Sequence, residues 1–271
     1  MIKHLKGRKM DKCNRPIGIF DSGAGGISFL RAAREALTYE DFIYFGDSGN
    51  APYGIRPLEE IRALTVAGTT RLYDMGVKAL VVACNTASSA AVADVRAALP
   101  IPILAMEPAL KPALHILGSG NVIVMATPAT LKQEMFRKMM TEAGNGDRII
   151  QAPCPALVEL VEAGEANTGK TREAIDAIFL PYKGRDIDAI VLGCTHFILA
   201  ATAISECACG MFSGKHTLLD GNAGTVAQLK KVLEREELFT KRQSRCGVRF
   251  LTSSPKEGML ALYNRYLEKG E

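Results

Sequence analysis

Short apolar runs recur along the chain, and each is followed by a turn of small or polar residues and then by a longer amphipathic stretch. An apolar run of four or five residues has the length of a strand that is covered on both faces. The runs predict strands at residues 16–20, 41–45, 79–83, 100–106, 122–126, 149–152, 189–192, 218–220 and 248–252. Strands that alternate with helices in this way predict an α/β fold with mostly parallel sheets.

Two of these runs end in the same order of residue types. Residues 79–83 lead into Cys84, and residues 189–192 lead through one glycine into Cys194. In both places hydrogen-bonding side chains follow the cysteine, and an Ala-rich or apolar helix begins. Because ligands of open α/β sheets bind at the carboxyl ends of strands, we interpret the two segments as related halves of one site. We expect both thiols to be reachable by solvent there.

The strand pattern restarts after a Lys-Pro pair at residues 111–112, which suggests a boundary between two units. We predict a first α/β domain from residues 16–110 and 222–271, and a second from residues 111–221. Residues 1–15 contain six of the 33 Lys and Arg residues but only one of the 29 Asp and Glu residues. They are predicted to form a basic, disordered tail, and the rest of the chain is close to neutral, which argues against a nucleic-acid partner.

Hydropathy and cysteine content indicate the cellular compartment of the protein. The N-terminus has no apolar signal-peptide core, and the most apolar later window, residues 97–116, is interrupted by Glu107, Lys111 and several prolines. We therefore expect no membrane span. Seven cysteines without regular spacing do not form a disulfide framework and are typical of a reducing compartment. A cytoplasmic protein is predicted.

A glycine-rich turn at residues 21–26 follows the first strand. Its glycines do not match the G-x-G-x-x-G spacing, and Asp21 would place a negative charge next to a phosphate, so nucleotide binding is disfavoured. The loop at residues 46–54 is longer than an ordinary connection in such a fold and lies between other polar strand ends. We interpret it as a loop that closes over a ligand.

Several interpretations of Cys84 and Cys194 are open on these residues alone. The two cysteines could be inert packing residues or a redox pair. Cys194 could instead belong to a zinc site, with partners among His196, Cys207, Cys209 and His216. In the fourth interpretation, the two thiols are acid/base groups that face each other across a cleft. The related positions of the two cysteines favour the last interpretation. A reaction that inverts a carbon atom needs one proton-transfer group on each face.

Four segments together resemble the glutamate racemases of the aspartate/glutamate racemase superfamily: IGIFDSGAGG at 17–26, PYG at 52–54, ACNTAS at 83–88 and GCTHF at 193–197. The resemblance extends over residues 16–271. It implies two α/β domains related by a pseudo-twofold axis, with the active site in the cleft between them. It also implies no cofactor and a small-molecule substrate, L- or D-glutamate, whose racemisation would supply D-glutamate for peptidoglycan synthesis. We expect no metal, because the candidate ligands match no common metal-binding spacing. We expect a homodimer.

By the same resemblance, Cys84 and Cys194 would be the proton-transfer residues, with Asp21 assisting Cys84 and His196 assisting Cys194. Glu162 matches an acidic residue near the second thiol. The positions that match substrate-binding residues are Asp21, Ser22, Tyr53, Gly54, Asn85, Thr86, Thr195 and His196.

The chain departs from the family pattern at two places. Residues 48–50 read Ser-Gly-Asn where Thr-Ala-Arg is usual, and Glu159 stands where proline is common. Both departures concern the loop and Glu162 rather than the cysteine motifs.

The rival functions are an aspartate racemase or another two-cysteine isomerase, and a non-catalytic binding protein that keeps the fold.

Overall fold

The computed structural model describes residues 11–143, 146–245 and 247–269. In this part of the chain the strands are β1 Ile17–Asp21, β2 Phe42–Gly46, β3 Ala79–Val82, β4 Ile103–Ala105, β5 Asn121–Ala126, β6 Ile149–Pro153, β7 Ile187–Leu192, β8 Thr217–Leu219 and β9 Val248–Thr252. The helices are α1 Ile27–Ala36, α2 Leu58–Asp74, α3 Asn85–Ala98, α4 Leu110–His115, α5 Pro128–Lys132, α6 Glu134–Ala143, α7 Pro155–Glu162, α8 Gly169–Phe179, α9 Thr195–Leu199, α10 Ala201–Met211, α11 Asn222–Arg235 and α12 Met259–Lys269.

The strands form two sheets in which the paired strands are parallel, so the predicted α/β class is confirmed. The first sheet has the order β4-β3-β1-β2-β9. The second, counted from its β8 edge, has the order β8-β7-β5-β6. Apart from β9, the two orders are the same, with the third strand of each set next to the first. Cys84 follows β3 and Cys194 follows β7, so the two cysteines lie at corresponding positions of a repeated topology.

The central strands are almost entirely buried because helices cover both faces of each sheet. Every residue of β1, β2 and β3 is buried, which explains the continuous apolar runs in the sequence. The strand after Pro100 and Pro102 is β4, which lies at the edge of its sheet, as its prolines predict. The apolar core includes the sheets and the helices packed on them.

Some element boundaries differ from the predicted ones. The sequence after β5 predicts a turn at residues 127–130 and then one methionine-rich helix to about residue 143. The structure has two helices there, α5 and α6, because Gln133 takes an extended backbone conformation (φ −70°, ψ 144°) that ends α5. The sequence also predicts a helix over about residues 198–209. In the structure the helical segment begins earlier, at Thr195 directly after Cys194, and is divided at Ala200 into α9 and α10.

The segments at both ends of the chain contact the first sheet. The C-terminal strand β9 pairs with β2, α11 packs against α1 and β4, and α12 packs against α1 and β9. Residues 1–10 of the predicted tail lie outside the described residues. In residues 11–15, the Cys13 side chain is buried, and its carbonyl accepts a hydrogen bond from the buried ammonium of Lys78 at 2.6 Å. None of the helices in the described ranges has the length and apolar character required to cross a bilayer.

Candidate active site

The first thiol lies where two neighbouring strands end. Because β1 pairs with β3, the residues that follow them, Ser22 and Cys84, are adjacent. Ser22 Oγ donates a hydrogen bond to Cys84 Sγ at 3.2 Å. Cys84 is also the N-cap of α3, and its sulfur accepts a hydrogen bond from the backbone N–H of Ala87 at 3.4 Å. Both direct partners are therefore donors to the sulfur.

The second thiol has a histidine and a carboxylate beside it. Cys194 is the N-cap of α9, and its sulfur lies 3.7 Å from Nδ1 of His196 in the first turn. Nε2 of His196 lies 2.6 Å from Oε1 of Glu162, the last residue of α7. The imidazole is thus held between a sulfur and a carboxylate, an arrangement in which histidine can move a proton to or from the thiol.

The glycine-rich turn after β1 contacts the second half directly. Thr195 Oγ1 donates to Asp21 Oδ2 at 3.0 Å, and the Ala24 backbone N–H donates to Glu162 Oε1 at 2.5 Å. A Cβ atom added to Gly23 would lie 1.9 Å from Glu162 Oε1. The absence of a side chain therefore permits the turn to approach Glu162, and the turn serves the contact between the halves.

Both thiols are almost fully buried, with Cys84 4% and Cys194 6% exposed. The expectation that solvent reaches them is wrong for this arrangement, because the contacts made by the turn at residues 21–26 close the cleft over the strand ends. A substrate would have to enter by separating these contacts, and the chemistry would then take place away from bulk water.

The environment of Cys84 favours the neutral thiol. Burial and, next in size, the negative charge of nearby Asp21 together raise the pKa of Cys84 to about 12, although hydrogen bonds from Ser22 and the Ala87 backbone oppose this rise. Burial also raises the pKa of Asp21 itself, although His196, backbone N–H groups and Thr195 oppose this effect. Asp21 makes no hydrogen bond to Cys84, so its influence on that thiol in this structure is electrostatic.

The environment of Cys194 contains a positive charge. Burial acts to lower the pKa of His196, but its hydrogen bonds with Cys194 and Glu162 outweigh burial and hold this pKa well above its ordinary value. Burial acts to raise the pKa of Glu162, yet donors from His196, Ala24 and Ser48 hold it below the usual range. We describe His196 and Glu162 as an imidazolium–carboxylate pair.

The remaining predicted binding residues lie around these two thiols. Tyr53 donates to Asp47 Oδ2 at 2.6 Å, and the backbone at Gly54 packs so closely on Thr127 that a Cβ atom would be 2.5 Å from the threonine Cβ. Thr86 Oγ1 lies 3.0 Å from the hydroxyl of Thr127. Asn85 is buried at the start of α3, and its Oδ1 has no hydrogen-bond partner among the described residues. A buried polar atom without a partner is unusual and is available to a ligand.

Sequence reasoning missed several polar residues that support this site. Ser48 contacts both Glu162 and Tyr263, Tyr44 donates to the carbonyl of Gly23 at 2.5 Å, and Asp47 orients Tyr53. The only available signal was the unusual length of the loop at residues 46–54, which contains Asp47 and Ser48. Their partners lie in distant parts of the sequence, so no local pattern indicated these contacts.

The zinc alternative has little support from side-chain positions. Cys209 Sγ lies 3.9 Å from His216 Nε2 at the surface, whereas Cys207 Sγ is directed to the carbonyl of Arg172 at 3.7 Å. Within the described ranges, no three His, Cys, Asp or Glu side chains are grouped so that they could hold a metal ion. Cys194 contacts His196, and His196 in turn contacts Glu162, so both are occupied away from Cys207, Cys209 and His216.

Comparison with known proteins gives the family. Residues 24–229 match the Asp/Glu/hydantoin racemase family. A protein named glutamate racemase from Clostridium acetobutylicum is 41% identical over 256 residues, which are 94% of this chain and 98% of that protein. The chain belongs to the Asp/Glu/hydantoin racemase family. The resemblance noted in the sequence is thereby confirmed, and so is the enzyme class, a racemase.

Solved structures of family members agree with the fold. Glutamate racemase from Francisella tularensis, solved in complex with D-glutamate, has a TM-score of 0.79 and 26% identity and covers 95% of each chain. The Escherichia coli glutamate racemase, solved with L-glutamate and the activator UDP-MurNAc-Ala, has a TM-score of 0.79 and 28% identity over 93% of this chain and 95% of that one. The two-sheet architecture is therefore shared with experimentally determined racemases.

Proposed function

We propose that this protein is a glutamate racemase that interconverts L- and D-glutamate without a cofactor. The observation that carries the proposal is the pair of thiols at corresponding strand ends of the repeated topology, with Asp21 bonded to Thr195 and His196 placed between Cys194 and Glu162. The names and identities of the relatives support glutamate as the substrate. Two structural neighbours solved with D- or L-glutamate support the same substrate class.

In the proposed mechanism, one cysteine thiolate removes the α-proton of glutamate and the other cysteine thiol donates its proton to the opposite face. The carbon keeps its electron pair between the two steps, and the protonation states of the two thiols are exchanged at the end of a turnover. Asp21 influences Cys84 through its charge, and His196, held by Glu162, carries a proton near Cys194. Donors around the α-carboxylate stabilise the negative charge that develops.

The proposed substrate contacts use the residues around the thiols. Ser22, Asn85, Thr86 and Thr195 are neutral side chains suited to a carboxylate or an ammonium group, and the free amide oxygen of Asn85 is an acceptor for the ammonium. Tyr53, Gly54, Asp21 and His196 complete the proposed set. Because Asp21 and Thr195 bond to each other in the closed arrangement, substrate would separate them or bind beside them.

The wider proposal concerns the organisation and the role of the protein. We propose the domain division stated above, residues 16–110 with 222–271 and residues 111–221, together with a homodimer, a cytoplasmic location and a supply of D-glutamate for peptidoglycan. Limited proteolysis and light scattering of the purified protein test the first two parts. Complementation of a D-glutamate auxotroph, with and without added D-glutamate, tests the cellular role.

A circular-dichroism assay tests the reaction itself. Pure L-glutamate and pure D-glutamate should each lose optical activity until the mixture is racemic, and aspartate should react much more slowly. Activity should survive exhaustive treatment with a chelator. Absence of racemisation of any acidic amino acid would favour a non-catalytic binding protein, and faster turnover of aspartate would favour the aspartate-specific alternative.

Isotope labelling tests whether two groups transfer the protons. In heavy water the donating thiol carries solvent deuterium, so product from either enantiomer should contain deuterium in the earliest turnovers. The abstracting thiol holds the proton of the substrate, and substrate that reverts should remain unlabelled at low conversion. A single base would return protium to product, or label substrate and product equally, and either result would contradict the two-face assignment.

A further inference from the structure

Ser48 connects the C-terminal helix to the carboxylate beside the second thiol. Its Oγ lies 2.8 Å from Glu162 Oε2 and 2.8 Å from the hydroxyl of Tyr263 in α12. The three residues come from distant parts of the chain and meet only in the folded protein. Tyr263 is fully buried and also lies 3.3 Å from the carbonyl of Gly46, so its hydroxyl has a fixed position.

The direction of these hydrogen bonds follows from the number of protons available. A serine hydroxyl has one hydrogen, and Glu162 is ionised and can only accept, so Ser48 donates to Glu162. Tyr263 then donates its single proton to Ser48 at 2.8 Å, the shorter of its contacts, in preference to the Gly46 carbonyl at 3.3 Å. Glu162 Oε1 accepts from His196 and from the Ala24 backbone, while Oε2 accepts from Ser48, so both carboxylate oxygens are occupied. The serine bond therefore fixes the rotation of the carboxylate.

Without the hydrogen bond from Ser48, the Glu162 carboxylate can adopt another orientation. A cavity of about 280 Å³ adjoins its carboxylate, and Ser48, Glu159, Lys256 and Met259 are among the lining residues. The Glu162 side chain is 14% exposed, whereas that of His196 is 1% exposed. A carboxylate freed from Ser48 can turn from the buried histidine toward water in this cavity, where Lys256 offers a positive charge.

We propose that Ser48 and Tyr263 are positioning residues, which hold Glu162 in the orientation that keeps His196 directed at Cys194. This inference rests on the proposed function, since it assigns the pair a part in proton transfer at Cys194. Neither residue touches the thiols in this structure. Their effect would pass through Glu162 and His196, the only route between them and Cys194 that the described hydrogen bonds provide.

The test compares Ser48→Ala with Ser48→Thr, which retains a hydroxyl. Loss of a hydrogen bond to a charged group should lower kcat on the order of ten- to a hundredfold in Ser48→Ala, with little change in KM, and Ser48→Thr should recover most of it. The pKa of His196, followed by NMR, should fall in Ser48→Ala. Burial lowers this pKa, and a Glu162 carboxylate that has turned away opposes that effect less. With four histidines in the chain, the signal is assigned by its loss in His196→Gln.

Ser253→Ala is the matched control. Ser253 Oγ accepts a hydrogen bond from the Gly49 backbone at 3.0 Å, so it anchors the same loop but has no contact with Glu162. Ser253→Ala should leave both kcat and the His196 titration unchanged. If Ser48→Ala does not fold, Tyr263→Phe replaces it, with a smaller expected fall in both readouts because Ser48 can still donate.

Two results would overturn the inference: an unchanged His196 titration in Ser48→Ala, or equal impairment of Ser48→Ala and Ser48→Thr. The histidine titration also separates this inference from the proposed function. If the unmodified protein does not racemise glutamate, the proposed function fails, but a fall of the His196 pKa in Ser48→Ala that is restored in Ser48→Thr still supports the positioning role. Its absence refutes that role whether or not the protein is active.

Discussion

The surroundings of Cys84 and Cys194 differ although the two cysteines follow corresponding strands of the repeated topology. Cys84 has a hydroxyl and a backbone N–H as direct partners and the anion of Asp21 nearby. Cys194 has His196 beside it, and Glu162 holds that imidazole from the other side. The repeated fold therefore determines where the sulfurs lie, whereas the surrounding side chains determine the charge that each sulfur experiences.

This difference has a consequence for a two-base reaction, which must begin with one thiol protonated. Burial and Asp21 keep Cys84 neutral, with a pKa of about 12. Cys84 is therefore expected to be the proton donor in the first turnover of the free protein. For the opposite direction a proton must first leave Cys84, and the cost of that step depends on how substrate binding changes the position of Asp21. Predictions that treat the two sides separately test this assignment.

The largest effect is expected from removal of either sulfur. Cys84→Ala and Cys194→Ala should each reduce racemisation by on the order of a thousandfold or more. The thiol that remains in each variant faces the opposite side of the α-carbon and cannot exchange a proton with the face that has lost its thiol. Circular dichroism of the amino acid measures the rate, and thermal unfolding verifies that the variant is folded.

Cys209→Ala is the control for these two variants, since this cysteine is exposed and lies outside the proposed site. Its activity should equal that of the unmodified protein. Substantial activity in either Cys84→Ala or Cys194→Ala would contradict the two-thiol mechanism. Loss of folding in either variant would instead support a packing role for that cysteine.

The second prediction concerns the reactivity of Cys84 toward iodoacetamide. A pKa of about 12 in place of 9.0 lowers the thiolate fraction at pH 8 by roughly a thousandfold, so Cys84 should be alkylated slowly, and its rate should still rise above pH 9. Asp21→Asn removes a nearby anion and should accelerate alkylation of Cys84. Peptide mass spectrometry reads each cysteine separately.

Exposed Cys209 is the internal reference in that experiment, and its alkylation rate should not respond to Asp21→Asn. An unchanged Cys84 rate in Asp21→Asn would show that the carboxylate has no electrostatic influence on this thiol.

The parts of this picture that the sequence predicted are those with local patterns. Continuous apolar runs gave the buried strands, and the residues after 83 and 193 gave the two cysteine turns, because a strand end followed by a helix start has a recognisable composition. The pairing of β1 with β3 places Ser22 next to Cys84. These features depend on neighbours in sequence or on a simple sheet order.

The rest depends on contacts between distant segments. Thr195 bonds to Asp21 across 174 residues, and Ser48 bonds to Glu162 across 114 residues. Nothing near Asp21 in the sequence indicates that its carboxylate accepts from Thr195 instead of contacting Cys84. The near-complete burial of both thiols also results from closure of one half on the other, which no local pattern encodes.

The smallest expected effect is on the free energy of unfolding. It should have opposite signs for Asp21, which lies near Cys84, and for Glu162, which holds His196 beside Cys194. The folded-state pKa of Asp21 is raised, so this group favours folding only while it is protonated, below about its ordinary value of 3.8, and that contribution is lost as pH rises through the folded value. The folded-state pKa of Glu162 is lowered from 4.5, so this carboxylate favours folding above that pH and loses its contribution as pH falls.

At pH 7, therefore, Asp21→Asn should raise the free energy of unfolding and Glu162→Gln should lower it, each by about 1 kcal/mol, the usual size for a hydrogen bond or burial cost of this kind. Urea unfolding from pH 3 to pH 8 measures both, and the difference between each variant and the unmodified protein should shrink toward the acid end. Asp21→Asn should be the more stable variant and also a poor racemase, since a functional site often retains a group that costs stability. If both variants lose stability equally at pH 7, the proposed electrostatic difference between the two thiols would be wrong, because Asp21 would then be a stabilising hydrogen-bond acceptor in the same sense as Glu162.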